Sequence, residues 1–100
     1  MSHLVKVLPD ADHEANEAVV WYEERVEGLG GRFRESIEYT VLAIMENTLA
    51  FPVVEGTRIR RALVEGFPYI VLFTIEEDFV LVISVFHTSR NPMIWRGRLD

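Results

Sequence analysis

Two adjacent runs in the last third of the chain, Tyr69 to Ile75 and Phe79 to His87, are apolar at nearly every position and are separated only by Glu76-Glu77-Asp78. Runs of this length and composition on either side of a short acidic gap predict a β-hairpin. Strict alternation in the second run puts Phe79, Leu81, Ile83 and Val85 on one face and Val80, Val82, Ser84 and Phe86 on the other. Neither face suits water. A chain of 100 residues has material for one layer of helices over such a sheet, so the other face must be covered by the chain's own tail or by a partner. The hairpin is therefore expected to display more apolar area than the helices can shelter, and a second molecule is expected to complete the fold.

The rest of the chain supplies that helical layer. Leu4 to Leu8 reads as a short strand stopped by Pro9-Asp10, with Asp10 or Asp12 expected to cap the helix that follows. Ala11, Ala15, Val19, Tyr22 and Val26 recur at helical spacing, with Glu14, Glu17, Glu23, Glu24 and Glu27 off the stripe as a solvated face. Gly28-Leu29-Gly30-Gly31 breaks the helix, and Phe33, Ile37, Val41 and Ile44 begin a second stripe at once. So short a turn predicts an antiparallel helical hairpin. Phe51-Pro52 forces an extended exit. Arg58 to Val64 then reads as an edge or rim strand, with Arg58, Arg60 and Arg61 around Ile59 and Leu63. The expected architecture is α+β: an N-terminal strand, an antiparallel two-helix hairpin packed on one face of a mostly antiparallel sheet, in the order β-α-α-β-β-β, and a short C-terminal tail. Residues 1–100 are expected to form one domain.

Composition narrows the chemistry. Cysteine is absent, which excludes disulfides, thiolate zinc sites and cysteine nucleophiles together. The first residues lack a basic and apolar leader, and no apolar run approaches a membrane span, so a soluble, cytoplasmic protein without membrane contact is expected. The net charge of -6 is unevenly spread. Residues 1–56 carry eleven acids against Lys6, Arg25, Arg32 and Arg34, a net of -7, whereas residues 57–100 carry five acids against six arginines, a net of +1. Any basic surface belongs to the C-terminal half. Nine of the ten basic residues are arginine, which suits forked contacts to carboxylates or phosphates.

Four residues offer chemistry at the sheet. His87 ends a strand, Arg90 follows three residues later, and Arg60 and Arg61 come from another strand. Gathered together they could cleave RNA, the imidazole moving a proton and the guanidiniums holding the phosphate; kept apart, they are rim residues and ion-pair partners. Trp95 with Arg96 and Arg98 could stack on a base, or the indole could close the open end of a small core, which is the expectation adopted. Tyr22 and Trp21 are expected to pack. His3, His13 and His87 are scattered without carboxylates at ligand spacing, so neither a metal nor a cofactor is expected. No phosphate loop, serine elbow or dinucleotide fingerprint occurs.

With these residues in view the chain resembles the RelE/ParE superfamily of type II toxins, the ParE-like branch in particular. The likeness runs through Trp21-Tyr22-Glu23-Glu24, Gly28-Leu29-Gly30 before Arg32-Phe33, Asn47 to Phe51-Pro52, Arg60-Arg61, Phe67-Pro68-Tyr69, and Val85-Phe86-His87 through Arg90 and Pro92 to Trp95. It implies the layout derived above and a cognate antitoxin whose extended or helical tail wraps the toxin. The apolar hairpin beside an arginine rim places that tail on the sheet or its edge, with Arg60, Arg61, Phe86, Arg90, Trp95 and Arg96 expected as the antitoxin- or target-binding residues. It also implies one of two targets. ParE-like members inhibit DNA gyrase without enzymatic chemistry; RelE-like members cleave mRNA on the ribosome, and that class would make Arg61, His87 and Arg90 the catalytic set. An acidic, lysine-poor chain favours the gyrase class. A non-toxic antitoxin-binding relic, and a homodimer when antitoxin is absent, stay open.

Overall fold

The computed structural model describes residues 4–99. Strand β1 (Leu4–Val7) leads into helix α1 (Pro9–Arg25), which turns back as α2 (Leu29–Glu46). A 3-10 turn at Thr48–Ala50 precedes β2 (Arg60–Leu63), β3 (Tyr69–Ile75), β4 (Phe79–His87) and a one-turn helix α3 (Met93–Arg96). The four strands form one sheet in the order β1-β4-β3-β2, with β1 parallel to β4 and the other pairs antiparallel. The expected α+β layout stands. The two strands of the hairpin begin and end at the expected residues, whereas Arg58, Ile59 and Val64 fall outside β2 and Leu8 outside β1.

Helix α1 begins without the expected aspartate cap. Leu8 is the N-cap and Pro9 occupies the first turn, where its missing N–H costs nothing. Asp10 and Asp12 lie within that turn, favourably placed against the positive end of the helix dipole. The break between the helices needs only one left-handed residue, Gly28 at φ 86°. The orphan amides that follow are met from α1: Glu23 accepts from the N–H of Gly28 through Oε2 at 2.8 Å and from that of Gly30 through Oε1 at 3.0 Å. Gly30 is itself a packing requirement, since a Cβ there would sit 2.5 Å from the carbonyl oxygen of Val19.

The inner face of the sheet packs on the helices. Phe33 and Ile44 of α2, Ala11 and Ala18 of α1, and Val71, Phe73, Val80, Val82 and Val85 of the hairpin are all buried in one cluster. Tyr22, Phe33, Phe67 and Tyr69 interlock within it, with ring centroids 4.9–6.2 Å apart. The outer face has a second cluster of Ile59, Leu72, Ile83, Phe86 and Trp95, joined by Val54, Ile70, Leu81 and Leu99.

Two expectations change here. The strict alternation along β4 fails, because the register shifts at Leu72/Phe73 and leaves Ile83 as an extra residue between Val82 and Ser84. Such a β-bulge moves every later side chain to the other face. Val85 therefore joins the helix side, and Phe86 joins Ile83 on the outer side. The need for a second molecule to shelter the hairpin is also overturned. Every residue from Tyr69 to Ile75 and from Phe79 to His87 is buried or half-buried within the single chain. The cover is internal: Trp95, 3 % exposed, and Leu99 from the tail, with Val54 and Ile59 from the loop before β2. Burying a large apolar side chain stabilises by about 1.5–3 kcal/mol, so closure of this face by the tail is a substantial part of the fold.

Neighbouring glycines at the start of α2 test this packing. Gly30→Ala is expected to lose about 1–3 kcal/mol by overpacking against Val19. Gly31→Ala, exposed and with nothing within 4 Å of its added methyl, is expected to gain up to about 1 kcal/mol from helix propensity. Urea denaturation of both variants measures the contrast, and equal effects would exclude the close contact as the cause.

Candidate functional site

On the outer face, between the rim of β2 and the tail, lies a groove of about 500 Å³. Arg61, Leu63, Phe86, Arg90, Trp95 and Arg96 line it. Each reaches it for a local reason. Arg61 pairs with Leu72 and Leu63 with Ile70, partners that belong to the outer cluster, so both project outward. The bulge turns Phe86 to this side, where Trp95 meets it edge-on at 6.3 Å and 80°. Arg96 stands 5.1 Å from the Trp95 ring.

Charge in the groove is one-sided. Arg61, Arg90 and Arg96 are exposed and make no ion pair among the described residues, and Glu55 is the acid on the lining. Leu63 keeps 72 % of its surface exposed and Val53 44 %, an apolar surface beside three cations. The β2 edge is partly occupied: Val53 bridges Arg60, and Arg61 donates its backbone N–H to Pro52 at 3.0 Å. Two residues on, the backbone of Leu63 points the same way with no partner among the described residues. Strand, cations and apolar side chains thus converge at one end of the sheet.

His87 lies elsewhere. Its ring packs edge-on against Tyr69 at 5.1 Å on the helix side, where it lines a separate cavity of about 510 Å³ with Trp21, Tyr22, Ser89 and Arg90. Nδ1 of His87 accepts the backbone N–H of Ser89 at 3.1 Å, with the Ser89 hydroxyl 2.8 Å away, so a neutral ring carries its proton on Nε2. Burial raises the Tyr69 phenol above its ordinary value; Tyr22 adds to the rise and Arg90 opposes it.

Of the residues singled out in the sequence, Arg61, Phe86, Arg90, Trp95 and Arg96 are brought together, and two are not. Arg60 pairs with Phe73 of the inner cluster and donates to the Phe51 carbonyl at 2.7 Å, which holds the turn before β2. His87 and Arg61 lie two strands apart on opposite sides of the sheet, so Arg61, His87 and Arg90 do not converge on one phosphate. Trp95 closes the outer core as expected, although its Nε1 is buried without a partner among the described residues. Trp21 departs from expectation: it is 49 % exposed, with the Arg25 guanidinium 3.5 Å from its ring.

The largest omission concerns Glu14 and Arg98. Glu14, expected on the solvated face, is paired with Arg98 of the tail through Nη1–Oε1 at 2.8 Å and Nη2–Oε2 at 3.0 Å. Each side chain is only 12 % exposed. The pair seals the edge of β4 beyond the end of β1. Glu14 accepts from the Ser84 hydroxyl at 2.9 Å and the Val85 N–H at 3.2 Å, while Arg98 donates to the Ile83 carbonyl at 2.9 Å. Hydrogen bonds to Glu14 raise the Arg98 pKa further above its ordinary value, against the opposing effect of burial. The sequence signal was faint: one acid among six on α1, and one arginine in a basic tail.

Residues 5–92 match the profile described as ParE toxin of type II toxin-antitoxin system, parDE. The chain belongs to the ParE toxin family. Among solved structures it is similar to a chain of the chromosomal ParDE TA system from P. aeruginosa, at 12% sequence identity and a TM-score of 0.76, covering 88% of this chain and 98% of that one. No curated protein is significantly similar in sequence. This chain thus carries an arginine-rimmed groove on its outer face and a histidine-containing cavity on the other, and no described helix is long and apolar enough to cross a membrane.

Arginines of the tail are expected to separate by role. Arg98→Ala should cost about 2–4 kcal/mol, because it removes the counter-charge from Glu14 and the donor from the Ile83 carbonyl. Arg96→Ala should stay within about 0.5 kcal/mol, as at an ordinary surface position. Equilibrium unfolding with a Glu14→Gln/Arg98→Ala cycle measures the coupling; additive losses would sink the assignment of a sealed edge.

Proposed function

We propose that this ParE toxin is neutralised by a cognate antitoxin whose acidic amphipathic segment occupies the outer groove, and that the toxin acts by binding DNA gyrase rather than by cutting RNA. Support for the first part is the groove itself: three exposed arginines around Leu63 and Val53, beside a backbone that can take an added strand. Arg61, Arg90 and Arg96 then meet carboxylates, Phe86 and Trp95 form the apolar floor, and Arg60 acts indirectly by holding the β2 turn. A stable complex of this kind buries roughly 800 Å² per partner. The chain need not borrow the antitoxin to cover its hairpin, so neutralisation is occlusion of a finished surface.

One observation carries the second part: Arg61 and His87 lie on opposite faces of the sheet. General acid–base cleavage needs the proton-transfer group and the phosphate holder within reach of the same atoms. The formal charge of -6 also opposes stable RNA binding except where the arginines are segregated. A ribosome-dependent mRNA endonuclease is the alternative, and its specific support is that Arg90 lines the His87 cavity as well as the groove.

Purified chain added to a gyrase supercoiling reaction and, in parallel, to a translating extract with primer-extension mapping of mRNA ends separates these readings. Gyrase inhibition with intact messages is the expected result, with His87→Ala keeping full inhibition and Arg61→Glu losing neutralisation by the antitoxin. Codon-phased cuts abolished by His87→Ala would replace this reading with the endonuclease, and inactivity in both assays would leave a non-toxic antitoxin-binding relic.

A further inference from the structure

The outward face of α2 is the counterpart of the groove. Positions 35, 38, 39, 42 and 46 fall on about one third of the helix circumference at its ~100° advance per residue, and they are Glu35, Glu38, Tyr39, Leu42 and Glu46. Tyr39 is 67 % and Leu42 59 % exposed, and Leu49, 73 % exposed, extends the stripe onto the 3-10 turn. The three glutamates make no ion pair among the described residues. Two large apolar side chains flanked by acids on a helix are the chemistry that three arginines around Leu63 would accept.

We propose that, without antitoxin, the α2 face of one copy docks in the arginine groove of a second copy. This rests on the reading that the groove takes an acidic amphipathic segment, and adds that the chain carries such a segment itself. Charge complementarity selects the occupant: Glu35, Glu38 and Glu46 oppose Arg61, Arg90 and Arg96. The outward face of α1, which exposes Val20 and Trp21, is less suited, because Arg25 lies over Trp21 and Glu17 is already paired with His13. Helix α2 packs on the inner face of the sheet and the groove opens on the outer face. The two surfaces of one copy therefore point apart, and the contact is head-to-tail. Such a contact does not close at two copies but continues to rings or chains. Self-association and antitoxin binding exclude each other at the groove, so antitoxin dissolves the assembly.

Sedimentation velocity on the full chain, with two double variants, tests this. In Arg61→Glu/Arg96→Glu the groove is reversed, and in Tyr39→Ser/Leu42→Lys the stripe is lost; all four positions are exposed, and circular dichroism with thermal unfolding verifies the fold. The unaltered chain is expected to grow past dimer with concentration, its association weakening at least about tenfold between about 0.05 M and 0.5 M salt. Each variant alone should be monomeric, while their equimolar mixture should give a 1:1 complex and nothing larger, because one intact groove and one intact stripe remain. A monomeric unaltered chain, association undiminished in the stripe variant, or a mixture that stays monomeric overturns the proposal. Co-purification with the cognate antitoxin isolates the underlying reading: retention by the stripe variant and loss by the groove variant uphold the groove whatever the self-association result, and retention by both removes it.

Discussion

The fold turns on the ion pair between Glu14 and Arg98, because it does at the edge of β4 what a further strand would otherwise do. Strand β1 pairs with β4 only from Phe79 to Val82 before the chain departs into α1. Beyond that point the backbone of Ile83 to Val85 would face the edge with polar groups unmet, and buried unmet groups cost about 1–3 kcal/mol each. Glu14 and Arg98 meet two of them and the Ser84 hydroxyl, while satisfying each other in a forked geometry. Three parts distant in sequence are fixed at once: the first helix, the last long strand and the tail. Asp10 adds a longer contact to Arg98 at 3.6 Å, a minor share because its side chain is 72 % exposed.

Fixing the tail decides how the second face of the sheet is covered. With Arg98 anchored, α3 lies where Trp95 packs on Phe86 and where Leu99 reaches the cluster of Leu72 and Ile83. The bulge at Ile83 is part of the same device: it turns Phe86 outward toward the tail and Val85 inward toward α1. Burial of the indole body, the largest side chain of this cluster, is what this docking contributes to stability.

The sequence disclosed what depends on periodicity and hid what depends on single contacts. Two helical stripes, a two-faced hairpin and an acidic turn were enough for the element order, and the hairpin strands were legible to their last residues. The facing of side chains after Ile83 was not, since a one-residue bulge leaves no mark in an apolar run. Nor was the destination of Glu14, which differs from Glu17 only in the partner that arrives from the far end of the chain. For the site, residue type found five of the groove residues, whereas strand parity decided that Arg60 and Arg61 part company: adjacent residues on a strand point to opposite faces. His87 is lost from the outer face for a similar reason, its cross-strand neighbour Tyr69 belonging to the inner cluster.

An internally covered hairpin changes what recognition has to accomplish. If the outer face awaited a partner, the free chain would expose Leu72, Ile83 and Phe86 and its stability would be inseparable from that partner's concentration. These side chains are instead buried at 0–3 % exposure, and what the groove leaves exposed is a limited apolar patch at Leu63 and Val53 among guanidiniums. Recognition on such a surface draws on hydrogen bonds and charge, with apolar area in support. It is therefore sensitive to salt and fast in encounter, because acids on an incoming segment are steered toward the cations while the acidic helices repel it from the opposite side. An overall negative chain with a small arginine groove is thus better suited to one oriented acidic partner than to a long polyanion, whose charge would meet more acids than arginines along most of the surface.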